Sequence, residues 1–120
     1  TFELDNFFNM VRKIFFYKKY FETFYNNQNE KVRTKIDFVL DLIRNVERVP
    51  EKFLKHIEGS DGLFEIRVKS VNNIFRFFCF FEDGNIIIIL NNFQKKTDKT
   101  PKNEILQAEK LRKEYFNVKE

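Results

Sequence analysis

The sequence predicts an α+β domain, a small and largely antiparallel sheet with helices packed on one face. Three observations predict it. Val32, Ile36, Val39, Leu40, Ile43 and Val46 recur at three- and four-residue steps, which marks a one-sided helix over Glu30–Glu47. Three short runs rich in β-branched and aromatic residues follow between Leu63 and Leu90 and read as strands. A second helical stripe, Ile105, Ala108, Leu111 and Tyr115, closes the chain. Strands grouped together and flanked by helices favour α+β over a regularly alternating α/β sheet.

Residues 1–9 read as an N-terminal extension and residues 10–120 as one domain. In the extension Phe2, Leu4, Phe7 and Phe8 suit a short amphipathic turn or strand. Val11 to Lys18 holds Ile14, Phe15, Phe16 and Tyr17, a strand-like run, and Tyr20 to Asn27 suits a short helix with Phe21, Phe24 and Tyr25 on one face. Pro50 ends the long helix or opens a short turn over Glu51–His56. Leu63 to Lys69 alternates, with Phe64, Ile66 and Val68 on one side and Glu65, Arg67 and Lys69 on the other. Ile74 to Phe81 is apolar apart from Arg76, as a central strand would be. Glu82-Asp83-Gly84-Asn85 is a hairpin turn leading to a partner strand at Ile86–Leu90. At Thr100-Pro101, threonine can cap a helix whose first position suits proline.

Composition excludes several classes. A chain of 120 residues fits one domain, and 17 Phe supply much of its apolar area. Cys79 is the only cysteine, lies in an apolar run and reads as a buried thiol, so no internal disulfide forms. One Cys and one His are too few for a usual zinc site. With three glycines there is no phosphate-binding Gly-rich loop, and no HExxH, CxxC or GxSxG occurs. No cofactor is expected. No stretch approaches the roughly 20 apolar residues of a membrane span and no signal peptide is visible, so the expected location is cytoplasmic, with no membrane partner.

The net charge of +4 is modest, but its placement is informative. Arg76 stands among Ile74, Phe75, Phe77 and Phe78, where a lone cation is costly without water, a carboxylate or a phosphate. If the strands pair around a turn at Val71–Ile74, Arg76 lies near Glu65 or Arg67. A cross-strand ion pair and a phosphate grip are compatible readings of this group. Lys95, Lys96, Lys99 and Lys102 follow the last strand, opposed only by Asp98. They read either as a solvated charge run or as an anion cradle at a helix start. Phe93 beside them suits stacking on a base or a place in the core. His56 could handle protons near neutral pH, but the sequence identifies no partner for it.

Three segments together carry a resemblance. Gly59-Ser-Asp-Gly-Leu-Phe-Glu-Ile-Arg-Val68 resembles the glycine-led "LYELR" strand of HigB-like, phage-associated toxins in the RelE/ParE superfamily. Ile74-Phe-Arg-Phe-Phe-Cys-Phe-Phe81 is similar to their next strand, with an arginine after an aromatic. Phe93-Gln-Lys-Lys-Thr-Asp-Lys-Thr-Pro101 with Glu104, Ile105 and Ala108 resembles the "F-x-KKT-x-KTP" and "EI-x-x-A" signature. The likeness covers about Met10 to Phe116. It implies a RelE-like fold and the toxin of a two-gene toxin–antitoxin pair, silenced by a helix-turn-helix antitoxin of the HigA type. It further implies a metal-free endoribonuclease acting on mRNA in the ribosomal A site, against 16S rRNA. The implied catalytic set is Glu65, Arg67, Arg76, Lys95 and Lys96, with Phe93, Lys99 and Lys102 binding RNA. Two positions depart from the RelE pattern: Glu65 replaces a strand lysine, and the tyrosine of the final helix falls at Ile105 or is missing. The superfamily also implies two alternatives, a gyrase-binding toxin that is not a nuclease and an inactive antitoxin-binding module.

Overall fold

A computed structural model describes residues 10–96 and 99–119. The expected N-terminal extension at residues 1–9, and Asp98 of the basic loop, lie outside them. The chain runs β1 (Lys13–Phe16), α1 (Tyr20–Asn26), α2 (Glu30–Asn45), β2 (Leu54–His56), β3 (Leu63–Ser70), β4 (Asn73–Asp83), β5 (Ile86–Lys95) and α3 (Lys102–Lys119). The five strands form one sheet in the order β1-β5-β4-β3-β2. β1 runs parallel to β5, and the remaining neighbours are antiparallel. The α+β class expected from the sequence is the class observed.

Helix α2 starts where Asn29 caps it, its side-chain oxygen accepting from the Val32 amide at 2.9 Å. Arg12 secures the other end by donating to the carbonyls of Ile43, Val46 and Glu47. A cation there also complements the negative end of the helix dipole. Five residues of the predicted stripe are buried, Val32, Ile36, Val39, Leu40 and Ile43, and pack on Ile66, Val68, Phe75, Phe77, Cys79, Ile87 and Ile89. Val46 is not, because the helix ends at Asn45 and Val46 is its extended, exposed cap. Cys79 lies wholly within this core, and burial pushes its thiol pKa up.

The helices do not share one face of the sheet. Helix α3 covers the opposite side, where Ala108 and Leu111 meet Leu63, Phe78, Phe80, Ile88 and Leu90. The reason is in β4 itself. Phe75, Phe77 and Cys79 project one way and Phe78 and Phe80 the other, so both faces need an apolar cover. Tyr17 and Lys18, just after β1, both bond Glu114 of α3 and tie the second layer to the sheet edge.

Three local expectations change. The segment Glu51–His56 is not only a turn, because Leu54–His56 pairs with β3 as a fifth strand. Strand β5 continues past Leu90 to Lys95. Pro101, not Thr100, closes the start of α3, its carbonyl accepting from the Glu104 and Ile105 amides. Among the described residues no helix is long and apolar enough to cross a membrane.

The β3–β4 hairpin turns through Val71 and Asn72, and Val71 has φ +55°. A β-branched residue in the left-handed region is strained, by roughly 1–2 kcal/mol. Its side chain is 68 % exposed and so contributes little packing. Val71→Gly is therefore expected to raise stability by about 0.5–1 kcal/mol after the entropic cost of glycine, seen as a higher urea midpoint. A lower midpoint would contradict the strained turn.

Candidate functional site

Strand alternation places Leu63, Glu65, Arg67 and Lys69 on the α3 side of β3. Register sets Leu63 opposite Phe80, Glu65 opposite Phe78, Arg67 opposite Arg76 and Lys69 opposite Ile74. Lys55 of β2 stands opposite Glu65 from the other neighbour. This face is apolar where α3 covers it and charged beyond the end of that cover.

A β-bulge decides what β5 adds. Phe77 pairs with Asn92 and Cys79 with Ile89, so three steps on β5 match two on β4. Ile88 and Leu90 point toward α3. Without the bulge, Phe93 and Lys95 would point the opposite way. With it, Phe93 stands opposite Arg76 and Lys95 opposite Ile74, on the charged side. Asn91, in the bulge, donates to the Glu104 carbonyl of α3 at 3.3 Å and holds the helix start against the strand.

Glu65 is the hub of the charged end. Its Oε1 lies 3.4 Å from Arg67 Nε and 3.5 Å from Arg76 Nε, and its Oε2 accepts from Thr100 Oγ1 at 3.2 Å. Thr100 thus spends its hydroxyl on the site. Arg76 is only 5 % exposed and also donates to the Phe75 carbonyl at 3.1 Å. Burial lowers its pKa from the usual guanidinium value, the charge of Arg67 lowers it further, and Glu65 opposes both. Arg67 is more open, 27 % exposed at the side chain, and donates to the Glu51 carbonyl at 3.2 Å. Neither Nε–H makes a well-directed hydrogen bond. Both Nε atoms are sealed from solvent and turned to Glu65, so charge attraction to that carboxylate, not a full hydrogen bond, compensates them.

Arg67 stands between two hollows. The larger, about 430 Å³, is lined by five cations, Lys35, Lys52, Arg67, Lys69 and Arg76, together with Phe53, Val71 and Ile74, and by no carboxylate. The smaller, about 230 Å³, is bordered by Lys55, His56, Glu65, Arg67, Lys95 and Thr100, among others. His56 reaches it from the far side: its ring packs edge-on against Phe64, 5.2 Å between centroids, while Glu65 points to the opposite face. Among the described residues no group of three or more His, Cys, Asp or Glu is placed to hold a metal ion.

The residues singled out in the sequence divide into two sets. Glu65, Arg67, Arg76 and Lys95 converge. Arg76 forms the floor beneath Glu65, as the cross-strand pairing expected. Phe93 is spent on packing, stacked on Phe78 at 5.5 Å and partly buried against the α3-side core. Lys96, Lys99 and Lys102 are exposed and border neither hollow. Sequence reasoning missed Lys35, Lys52 and Lys55. Helical and strand periods show which residues are polar, but only the tertiary fold shows that an α2 lysine and a loop lysine meet β3.

A family model described as phage derived protein Gp49-like (DUF891) matches residues 23–113. The chain belongs to this Gp49-like family. The matched segment contains every residue lining either hollow, and the family is related to the toxins of toxin–antitoxin pairs. No curated protein matches the chain.

Removing the hub carboxylate from this Gp49-like domain should leave two guanidiniums uncompensated. Glu65→Ala is expected to cost about 3 kcal/mol in chemical denaturation. Adding Arg76→Met should recover part of that loss, since the repulsion goes with the second cation. A double variant no more stable than Glu65→Ala would show that the trio is not electrostatically coupled.

Proposed function

We propose that this chain is the toxin of a two-gene toxin–antitoxin pair, of the HigB-like kind, and that it cuts mRNA on the ribosome. The observation that carries the reading is the carboxylate-free cleft of five cations with Arg67 at its inner end. Such a site suits a phosphodiester and the negative charge that develops on it during cleavage.

In the proposed reaction the ribose 2′-hydroxyl attacks the adjacent phosphorus. A 2′-O–P bond forms, the P–O5′ bond breaks, and the products are a 2′,3′-cyclic phosphate and a 5′-hydroxyl. Glu65 takes the proton from the 2′-oxygen, and the Lys95 ammonium, on the same hollow, gives one to O5′. Arg67, the accessible arginine, binds the non-bridging oxygens. Lys52 and Lys69 hold the strand in the larger hollow, and Lys95 faces the leaving side from the smaller one. Arg76 is a positioning residue, while Glu65 orients both guanidiniums at rest and serves as the base. Lys96, Lys99 and Lys102 lie on the outer surface, where lysines favour docking on polyanionic 16S rRNA in a salt-dependent manner. The partner expected to silence the protein is a helix-turn-helix antitoxin, and the site of action is the cytoplasm, where ribosomes translate.

The test is a translating extract with mRNA ends mapped. The expected result is codon-registered cuts that require ribosomes, and a loss of at least about tenfold with Arg67→Ala. Arrested translation with intact mRNA, trapped gyrase–DNA complexes, or undiminished cutting by folded Arg67→Ala would overturn the proposal.

A further inference from the structure

The larger cleft does not end at Val71. A second hollow of about 480 Å³ continues outward from it and shares Lys35, Lys69 and Val71 as a common wall. Lys31 and Phe38, one helical turn to either side of Lys35 on α2, complete it. Its lining again contains three lysines and no carboxylate. Asp37, on the same helix, is turned to the Tyr25 hydroxyl, at 2.9 and 3.0 Å.

Phe38 makes this more than a charged surface. It is 49 % exposed although it is a large apolar ring. It meets Phe53 of the inner cleft edge-on, 6.2 Å between centroids, and Lys35 Nζ lies 5.0 Å from its own ring centre. A half-exposed ring braced by a second ring, with one ammonium over it and two more lining the same hollow, suits one base and its phosphate from a single strand. A partner of acidic protein surface would use the lysines but would leave the ring without a stacking role.

We propose that this outer hollow is a flanking-nucleotide subsite for single-stranded RNA. The base stacks on Phe38 beside Val71, and the phosphate next to the scissile one is held by Lys31, Lys35 and Lys69. The inference rests on the reading of the inner cleft as an RNA site. It adds that the strand enters over α2 and the β3–β4 hairpin, and that contacts there lengthen the footprint by one nucleotide.

The experiment measures fluorescence anisotropy of labelled 2′-O-methyl oligoribonucleotides, two and six nucleotides long, against the full chain at low salt. The longer probe is expected to bind more tightly. Phe38→Ala should weaken the six-nucleotide probe about tenfold and leave the two-nucleotide probe unchanged. Lys31→Ala should lower the slope of log affinity against log salt by about 0.7 for the longer probe only. Both side chains are exposed, so the variants should fold, which circular dichroism checks. Arg67→Ala should weaken both probes. If the wild-type chain binds six nucleotides more tightly than two and neither outer variant changes that, the subsite is wrong while the inner cleft stands. If the wild-type chain binds neither probe, or an acidic peptide displaces the longer one without regard to Phe38, both the subsite and the cleft reading fall.

Discussion

Arg67 and Arg76 face each other across β3 and β4, a pairing of like charges that by itself destabilises a sheet. Glu65 makes it tenable. Its one oxygen stands between the two Nε atoms while Thr100, from the loop before α3, holds the other. The trio leaves two positive charges against one negative charge at the inner end of the cleft. A site built this way keeps a surplus of cation in a partly buried place, where charge acts at lower effective dielectric than at the open surface. Selection for stability alone would favour apolar groups at such a position, since a buried ion pair contributes little to it.

The position of that trio follows from how the second layer is laid down. Helix α3 covers the sheet from Leu63 and Phe80 to Leu90 and stops short of the Arg67–Arg76 row. Covered and uncovered halves of the same face therefore differ in chemistry, apolar under the helix and cationic beyond it. The bulge in β5 serves the same division. Leu90 remains under α3 and Lys95 joins the charged half, which strict alternation along the strand would not permit. Asn91 uses its place in the bulge to fasten the helix start. The first strand and the segment after it, through Tyr17 and Lys18, hold the far end of that helix.

The larger hollow draws its cations from three separate parts of the chain: Lys35 from α2, Lys52 from the loop that follows it, and Arg67, Lys69 and Arg76 from the hairpin. Convergence of like charge from elements distant in sequence costs the fold repulsion at each addition. The proposed anionic ligand rests on this convergence in one cleft rather than on the modest net charge of the chain.

Much of this molecule was legible before any coordinate. Helical spacing identified α2 and most of its buried residues, alternation in Leu63–Lys69 set Glu65 and Arg67 on one side, and the isolated arginine in β4 already called for water, a carboxylate or a phosphate. These are properties of period and of local composition, which act over a few residues and are written in order along the chain. What tertiary structure alone decided was of another kind. A second face of the sheet is covered because β4 is apolar on both sides. Lys95 is turned inward by an extra residue in β5, and Phe93 is drawn into a stack on Phe78. Lys35 and Lys52 enter the cleft from helix and loop. Each depends on register or on packing between segments far apart in sequence, and a change of one residue in register reverses the face a side chain meets.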